Sequence, residues 1–178
     1  HPCQALADML TFYEKKQEFE GRKLTFIGDG NNVCHSLMII CAKLGVNFSC
    51  ACPKGYEPDE DVVANSLEFA KASGAQIIVT QDPVAAIKDA DAVYTDVWAS
   101  MGQESEFEEK SKHFLSYQVN SELMKHAKSD AIFLHCLPAH RGEEVTAEVI
   151  DGPQSVVFDE AENRLHAQKA VMALLMEK

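Results

Sequence analysis

The sequence lacks the features that mark several common protein classes. None of its apolar runs approaches the ~18 residues that cross a bilayer as a helix, so we predict no membrane-spanning segment. Basic residues are scarce, with 16 Lys and Arg against 28 Asp and Glu and a net charge of −12. Because phosphate contacts require clustered Lys and Arg, this deficit argues against an extended nucleic-acid or anionic-membrane surface. Binding of a small cation or zwitterion is compatible with it.

Paired-cysteine motifs are also absent. The chain has six cysteines but no C-x-x-C and no regular spacing, and 178 residues are enough to form a core without disulfides. We therefore predict free thiols in a reducing, cytoplasmic setting. Four of the six fall in apolar runs and are expected to be small buried side chains, namely Cys34, Cys41, Cys50 and Cys52.

The chain instead contains short apolar runs that alternate with segments of helical period. Six strands are predicted, at residues 23–28, 47–51, 76–80, 92–95, 131–135 and 155–158. Helices are predicted from the start of the chain, over 31–44 and 58–73, after Pro83, and over 162–176. Strands that alternate with helices and are apolar on both faces indicate a parallel sheet covered on both sides. The predicted fold class is α/β: one three-layer αβα domain over residues 1–178, with a doubly wound, mostly parallel, Rossmann-like sheet.

Ligands of such sheets bind beyond the carboxyl ends of the strands, so the segments after each strand are the candidate sites. The first strand is followed by Gly28-Asp29-Gly30-Asn31-Asn32, but the third glycine of a dinucleotide fingerprint is replaced by Val33. No acidic residue for a ribose hydroxyl follows the second strand, so we predict no nicotinamide cofactor. The segment is either a tight turn with an Asn helix cap or a place where an Asn amide and backbone N–H groups face a carboxylate.

The segment from Asp96 to Glu104 follows the fourth strand. Asp96 is able to pair with an ammonium group, and Ser100 is able to donate or accept a hydrogen bond, although an Asp at a strand end is also a common turn or cap residue. Gly102 offers a hinge, and the residues after it are strongly polar. We therefore expect this segment to be a candidate lid that excludes water.

The segment from His135 to Glu144 places Cys136 just past the fifth strand. A cysteine nucleophile needs a base that activates its thiolate, and the alternative is an inert thiol. The spacing of Cys136, His135 and His140 fits no structural zinc pattern, so we predict no metal.

Two further segments carry polar groups suited to a small ligand. Arg164 follows the last predicted strand, where it faces either an anion or carbonyl, or else forms an ion pair with Asp159 or Glu160. His1 and Gln4 begin the first helix and are able to hydrogen-bond a small polar group, unless the terminus is frayed.

Five motifs occur together in one order: HPCQxxAD, GDGNN, DVWASMGQE, HCLPAHRGEEVT and FDEAENR. The set resembles the ornithine carbamoyltransferase family, and DxWxSMG and HCLP distinguish that family from the aspartate carbamoyltransferases. The resemblance implies an enzyme of arginine metabolism that joins carbamoyl phosphate to L-ornithine, giving citrulline and phosphate without a cofactor. It also implies a homotrimer of two-domain subunits, in which this chain is similar to the second, ornithine-binding domain.

The resemblance further implies the site residues. An ornithine site is implied at Asn32, Asp96, Ser100, Met101, Cys136 and Leu137. Asp96 and Ser100 would hold the α-amino group, and the Met101 backbone would meet the α-carboxylate. Contacts to carbamoyl phosphate are implied for His1, Gln4 and Arg164, with catalytic roles for Cys136, Arg164 and His1.

The S-x-R-T phosphate cradle of the family is absent from the 178 residues, and the first residue is His1 instead of Met. We therefore expect that the carbamoyl-phosphate-binding domain is missing upstream of residue 1 and that the isolated chain is inactive. Two alternatives stay open: a stand-alone amino-acid-binding module, and a carbamoyltransferase that acts on a related amine.

Overall fold

The central element is one sheet of five parallel strands. The computed structural model describes residues 1–98 and 107–177, and its strand order is β3-β2-β1-β4-β5. The strands are β1 Lys23–Ile27, β2 Asn47–Ala51, β3 Ile77–Thr80, β4 Ala92–Thr95 and β5 Ile132–His135. Every neighbouring pair is parallel, with Leu24 of β1 aligned to Phe48 on one side and Ala92 on the other. The predicted doubly wound α/β class is confirmed.

Helices connect the strands. They are α1 Pro2–Lys16, α2 Asn32–Leu44, α3 Glu60–Ser73, α4 Pro83–Ile87, α5 Phe107–Phe114, α6 Ser121–Met124, α7 Ala147–Ile150 and α8 Val157–Met176. The three helices between Phe107 and Ile150 are short and were not predicted. No helix within the described ranges has the length and hydrophobicity needed to cross a membrane.

Two hydrophobic cores lie on opposite faces of the sheet, because side chains alternate between the faces along each strand. Phe26, Tyr94 and Leu134 point into the core formed with α1 and α2. Val93 and Phe133 point into the core formed with α4, α6 and α7. The three-layer αβα arrangement predicted from the continuous apolar strands is therefore present.

Local capping explains where α2 begins and ends. The Asn31 side-chain oxygen accepts hydrogen bonds from the N–H groups of Val33 and Cys34, at 3.0 and 3.1 Å. Gly45 ends the helix with φ at 78°, a left-handed conformation that glycine adopts without strain. Both caps depend only on residues that are neighbours in the sequence. The predicted bounds of α2 therefore agree with the structure.

The predicted sixth strand at 155–158 is wrong. Ser155 forms one isolated bridge to Phe133, and α8 begins at Val157 instead of Glu162. Phe158 is 74% exposed, which is incompatible with a buried central strand. A short run of three apolar residues, 156–158, fits a strand and the start of a helix equally well, so periodicity did not distinguish them. Arg164 consequently lies well inside α8 instead of near its predicted start at residue 162.

Candidate functional site

The candidate site lies where the winding of the sheet reverses. The chain builds β2 and β3 on one side of β1, and then β4 and β5 on the other, so the switch point lies between β1 and β4. Open α/β sheets bind ligands in the crevice at that point. The residues that follow β1, β4 and β5 there include Asn31, Asp96 and Cys136.

Asp96 is the centre of this cluster. The side chains of the cluster come from three separate loops, which follow β1, β4 and β5. The Asp96 Oδ1 accepts hydrogen bonds from the Val97 N–H at 2.8 Å and from the Cys136 Sγ at 3.1 Å. Its Oδ2 accepts from the Asn31 Nδ2 at 2.7 Å. The residue is 8% exposed, and within the described residues no Lys or Arg forms an ion pair with it. Such a carboxylate is suited to an ammonium ligand, because a buried charge is stabilised by an opposite charge.

Cys136 is a protonated thiol in this environment. Burial raises its pKa, and the nearby Asp96 carboxylate raises that pKa further. A cysteine nucleophile would need a base, but the ring of His135 is bound elsewhere: its Nδ1 accepts the Leu137 N–H at 2.9 Å, and its Nε2 lies 3.3 Å from Glu144 Oε1. The geometry therefore fits a hydrogen-bonding thiol, and it does not support the interpretation of Cys136 as a nucleophile activated by His135.

Asn31 is absent from the site residues that the family resemblance implies, although it belongs to the segment predicted to contain an Asn helix cap. It caps α2 and binds Asp96 at the same time, whereas Asn32 is exposed at the first position of α2. The cap position at a strand end was visible in the sequence, but its contact with a residue 65 positions away was not. The ornithine role implied for Asn32 stays a prediction.

A second acidic residue at the same edge is neutralised. The Asp29 carboxylate forms an ion pair with Lys110 of α5, whose ammonium also lies 5.4 Å from the centre of the Tyr56 ring. Asp96 and Asp29 thus differ in whether their charge is neutralised. Of the two, only Asp29 has a cationic side chain bound to it in the described structure. This pair was not predicted, since α5 itself was not.

Gln4 and Arg164, for which contacts to carbamoyl phosphate are implied by the resemblance, are in direct contact with each other. The Arg164 Nη1 donates to Gln4 Oε1 at 2.5 Å, and Gln4 Nε2 donates to Asp8 Oδ1 at 2.7 Å and to Glu160 Oε1 at 3.3 Å. Arg164 also donates to Gln168 Oε1 at 2.9 Å. The ion pair with Asp159 or Glu160 that was the alternative for Arg164 is not among these contacts.

The two acids that hold Gln4 are fully buried. Burial raises the pKa of Asp8 to about 6, and burial together with the charge of Asp8 raises the pKa of Glu160 well above its ordinary value. Glu160 Oε2 also accepts the His135 N–H at 2.8 Å, which connects α8 to the end of β5. The acid pair therefore retains a proton near neutral pH and fixes the direction of the Gln4 amide, with its NH2 inward and its oxygen towards Arg164.

The remaining predicted residues have simpler positions. His1 is exposed, and its carbonyl accepts the N–H groups of Gln4 and Ala5 at the start of α1, at 3.1 and 3.2 Å. Leu137 is half-buried beside Cys136, with φ at 53° and a cis bond to Pro138. Ser100 and Met101 lie outside the described residues, as does most of the candidate lid.

Comparison with known proteins gives one consistent family. The model of the family "Aspartate/ornithine carbamoyltransferase, Asp/Orn binding domain" matches residues 20–175. The ornithine carbamoyltransferase of Thermococcus kodakarensis is 64% identical over 99% of this chain and 56% of its own length. A protein of Pyrococcus furiosus named "Ornithine carbamoyltransferase, anabolic" is 61% identical, with the same two coverages.

A solved structure agrees with the sequence comparisons. The ornithine carbamoyltransferase from Pyrococcus furiosus superposes with a TM-score of 0.94 at 61% identity, covering 98% of this chain and 56% of that one. This chain thus spans about half the length of the curated relatives that it matches.

Proposed function

The chain belongs to the aspartate/ornithine carbamoyltransferase family through its Asp/Orn binding domain, and we propose that it is the ornithine-binding half of an ornithine carbamoyltransferase. The observation that carries the proposal is Asp96, an almost buried carboxylate at the switch point with no cationic side chain bound to it in the described chain. The α-ammonium group of L-ornithine supplies the missing positive charge. With that end fixed at Asp96, the site extends towards Cys136 and Leu137 at the end of β5, and the δ-amine lies there.

The proposed reaction joins this δ-amine to the carbamoyl group of carbamoyl phosphate. The amine nitrogen attacks the carbonyl carbon, the bond from that carbon to the phosphate oxygen breaks, and the phosphate takes up the amine proton. Only about one alkyl ammonium in 2,500 is neutral at pH 7, so the site must favour the neutral amine. The protonated Cys136 thiol contributes by accepting a hydrogen bond from the amine in a place where desolvation disfavours the ammonium form.

Gln4 and Arg164 are proposed to bind the carbamoyl group together with His1. Arg164 stabilises the negative charge that develops on the carbamoyl oxygen during attack, an effect worth about 3 kcal/mol for one such donor. The buried acids Asp8 and Glu160 do not touch substrate in this scheme. They hold Gln4, and Gln4 in turn positions Arg164.

The phosphate-binding half of the reaction is proposed to come from a companion domain. An S-x-R-T segment does not occur in the 178 residues, and the chain spans about half the length of its relatives. Leu165 and Met172 of α8 are 68% and 60% exposed beside Arg164, and they line a groove of about 410 Å³. We propose that the companion domain covers this face in a cytoplasmic homotrimer, and the word "anabolic" in one relative's name favours a role in arginine biosynthesis.

Ornithine binding by the chain tests the proposal. Asp96→Asn removes the charge and keeps the shape, so it is expected to weaken L-ornithine binding at least ~10-fold in a calorimetric titration, because a charge-assisted hydrogen bond is lost. Asp61→Asn, on the exposed start of α3, is the matched control and is expected to leave affinity unchanged. N-acetyl-L-ornithine lacks the α-ammonium and should bind more weakly than ornithine.

Equal ornithine affinity in the Asp96→Asn variant and the wild type would refute the proposed role of this carboxylate. Preference for N-acetyl-L-ornithine would instead support a carbamoyltransferase for a related amine.

A further inference from the structure

We propose that His140, Glu143 and Glu144 form a binding site for a divalent transition-metal cation, for which Zn²⁺ is the probe. The three residues lie between β5 and α7, and their potential ligand atoms are all within 4.8 Å of one another. His140 Nδ1 is 3.6 Å from Glu143 Oε2 and 3.9 Å from Glu144 Oε2. Ligand atoms around tetrahedral zinc are ~3.3 Å apart, given bonds of ~2.0 Å, so small side-chain movements would close the site.

Glu144 provides the observation that points to a cation. Its side chain is fully buried, and its Oε1 accepts the His140 N–H at 2.6 Å and faces the His135 Nε2 at 3.3 Å. Its Oε2 is buried without a hydrogen-bond donor and is directed towards the His140 ring. A buried carboxylate oxygen without a partner is costly, and a cation bound there would satisfy it.

The neighbouring charges do not neutralise this pair of acids. Arg141 is turned away, with its guanidinium donating to both carboxylate oxygens of Asp151 at 2.8 and 2.7 Å. Over residues 1–98 and 107–177, neither Glu143 nor Glu144 forms an ion pair with a Lys or Arg.

The backbone of the turn is already fixed in a shape that presents the ligands. The Gly142 N–H donates to Val145 O at 2.8 Å, and the Glu143 N–H donates to His140 O at 3.0 Å. The Gln118 amide donates to the carbonyls of Gly142 and Glu143, at 2.9 and 2.8 Å. Binding therefore costs little ordering of the loop.

This ligand set differs from the one that sequence spacing argued against. The spacing of Cys136, His135 and His140 fits no zinc pattern, and in the structure the His135 ring is bound to Leu137 and Glu144. One imidazole and two carboxylates, with water in the open position, match the ligand preferences of zinc. The site belongs to the loop that also carries Leu137, but it does not depend on the proposed ornithine function.

Calorimetric titration of the chain with Zn²⁺ tests the proposal, and Co²⁺ absorption reports the coordination geometry. One equivalent of Zn²⁺ is expected to bind, and His140→Ala or Glu143→Gln is expected to lower the affinity ~10-fold or more. Neither side chain is buried, so both variants should keep the fold, which circular dichroism checks. His166→Ala is the matched control, since His166 is an exposed histidine 3.7 Å from Glu162 and lies on α8.

The Cys136→Ser variant separates this site from the thiol. Retained zinc binding in that variant supports the proposal, whereas its loss would assign the cation to Cys136 and overturn it. Equal zinc affinity in the wild type and His140→Ala, or no saturable binding at all, would overturn it as well. Binding of Mg²⁺ as tight as that of Zn²⁺ would mean non-specific attraction to an acidic surface, because Mg²⁺ prefers octahedral oxygen ligands.

Discussion

At the scale of single residues, Asp96 influences the protonation of the neighbouring Cys136 thiol. The carboxylate is held by three donors in a nearly buried position, so its charge acts at short range on Cys136. Burial raises the pKa of the Cys136 thiol, and Asp96 raises it further. The thiol is therefore a hydrogen-bonding group at neutral pH, and the reactivity of a free cysteine is suppressed.

Alkylation rates measure this suppression. Iodoacetamide should modify Cys136 more slowly than Cys3, which is also partly exposed, when peptides are followed by mass spectrometry at pH 8. Asp96→Asn removes the charge that raises the thiol pKa, so it should accelerate alkylation of Cys136 several-fold and leave Cys3 unchanged. An unaltered Cys136 rate in that variant would contradict the electrostatic coupling.

Residue patterns identified Asp96 and Cys136 as separate candidates, and only the family resemblance placed them in one site, without their direct contact. Their positions after strands were visible locally, whereas their contact depends on β4 and β5 being neighbours in the sheet. The same holds for Gln4 and Glu160, which are 156 positions apart. Local patterns carry no information on such pairs, and this is why the polar network was not predicted.

At the scale of elements, the packing of α8 on α1 encloses the acids Asp8 and Glu160. Burial raises the pKa of Asp8 from its ordinary 3.8 to about 6, which corresponds to roughly 3 kcal/mol. In the unfolded chain Asp8 loses its proton near pH 4, and in the folded chain it does so only near pH 6. The folded state therefore binds more protons in this window, and the contribution of Asp8 to stability falls as pH rises through it.

Asp8→Asn should remove this dependence while its side-chain oxygen still accepts from Gln4. The free energy of unfolding of the variant, relative to the wild type, is expected to rise from pH 4 to pH 6. Urea denaturation at several pH values measures the difference. Asp159→Asn, on the exposed side of α8, serves as the control and should show no such trend. A constant difference for Asp8→Asn across the window would argue against a raised pKa.

Element boundaries were predictable where a cap residue marks them. Asn31 and Gly45 bound α2, and Asp59 and Gly74 bound α3, in agreement with the helices predicted over 31–44 and 58–73. The start of α8 was not predictable, because Ser155 still bonds to the sheet edge and an apolar run follows it. The capping chemistry that marks other helices is missing there, since Val156 makes no side-chain cap bond.

At the scale of the whole molecule, the α/β fold was predictable because short apolar runs, typical of buried strands, alternate along the chain with segments of helical period. The chain carries the proposed ornithine site at one edge of the sheet, and its 178 residues contain no S-x-R-T segment. We therefore expect the purified 178-residue chain to form no citrulline from L-ornithine and carbamoyl phosphate in a colorimetric assay. Citrulline formation that is lost in Cys136→Ser would refute this, since the chain would then hold a complete active site.

A structure of the chain with L-ornithine bound tests whether Asp96 holds the α-ammonium group. We expect the α-ammonium nitrogen within ion-pair distance of Asp96 and the δ-amine beside Cys136, at the carboxyl ends of β4 and β5. Ornithine bound elsewhere, or bound with its δ-amine at Asp96, would contradict the proposed site.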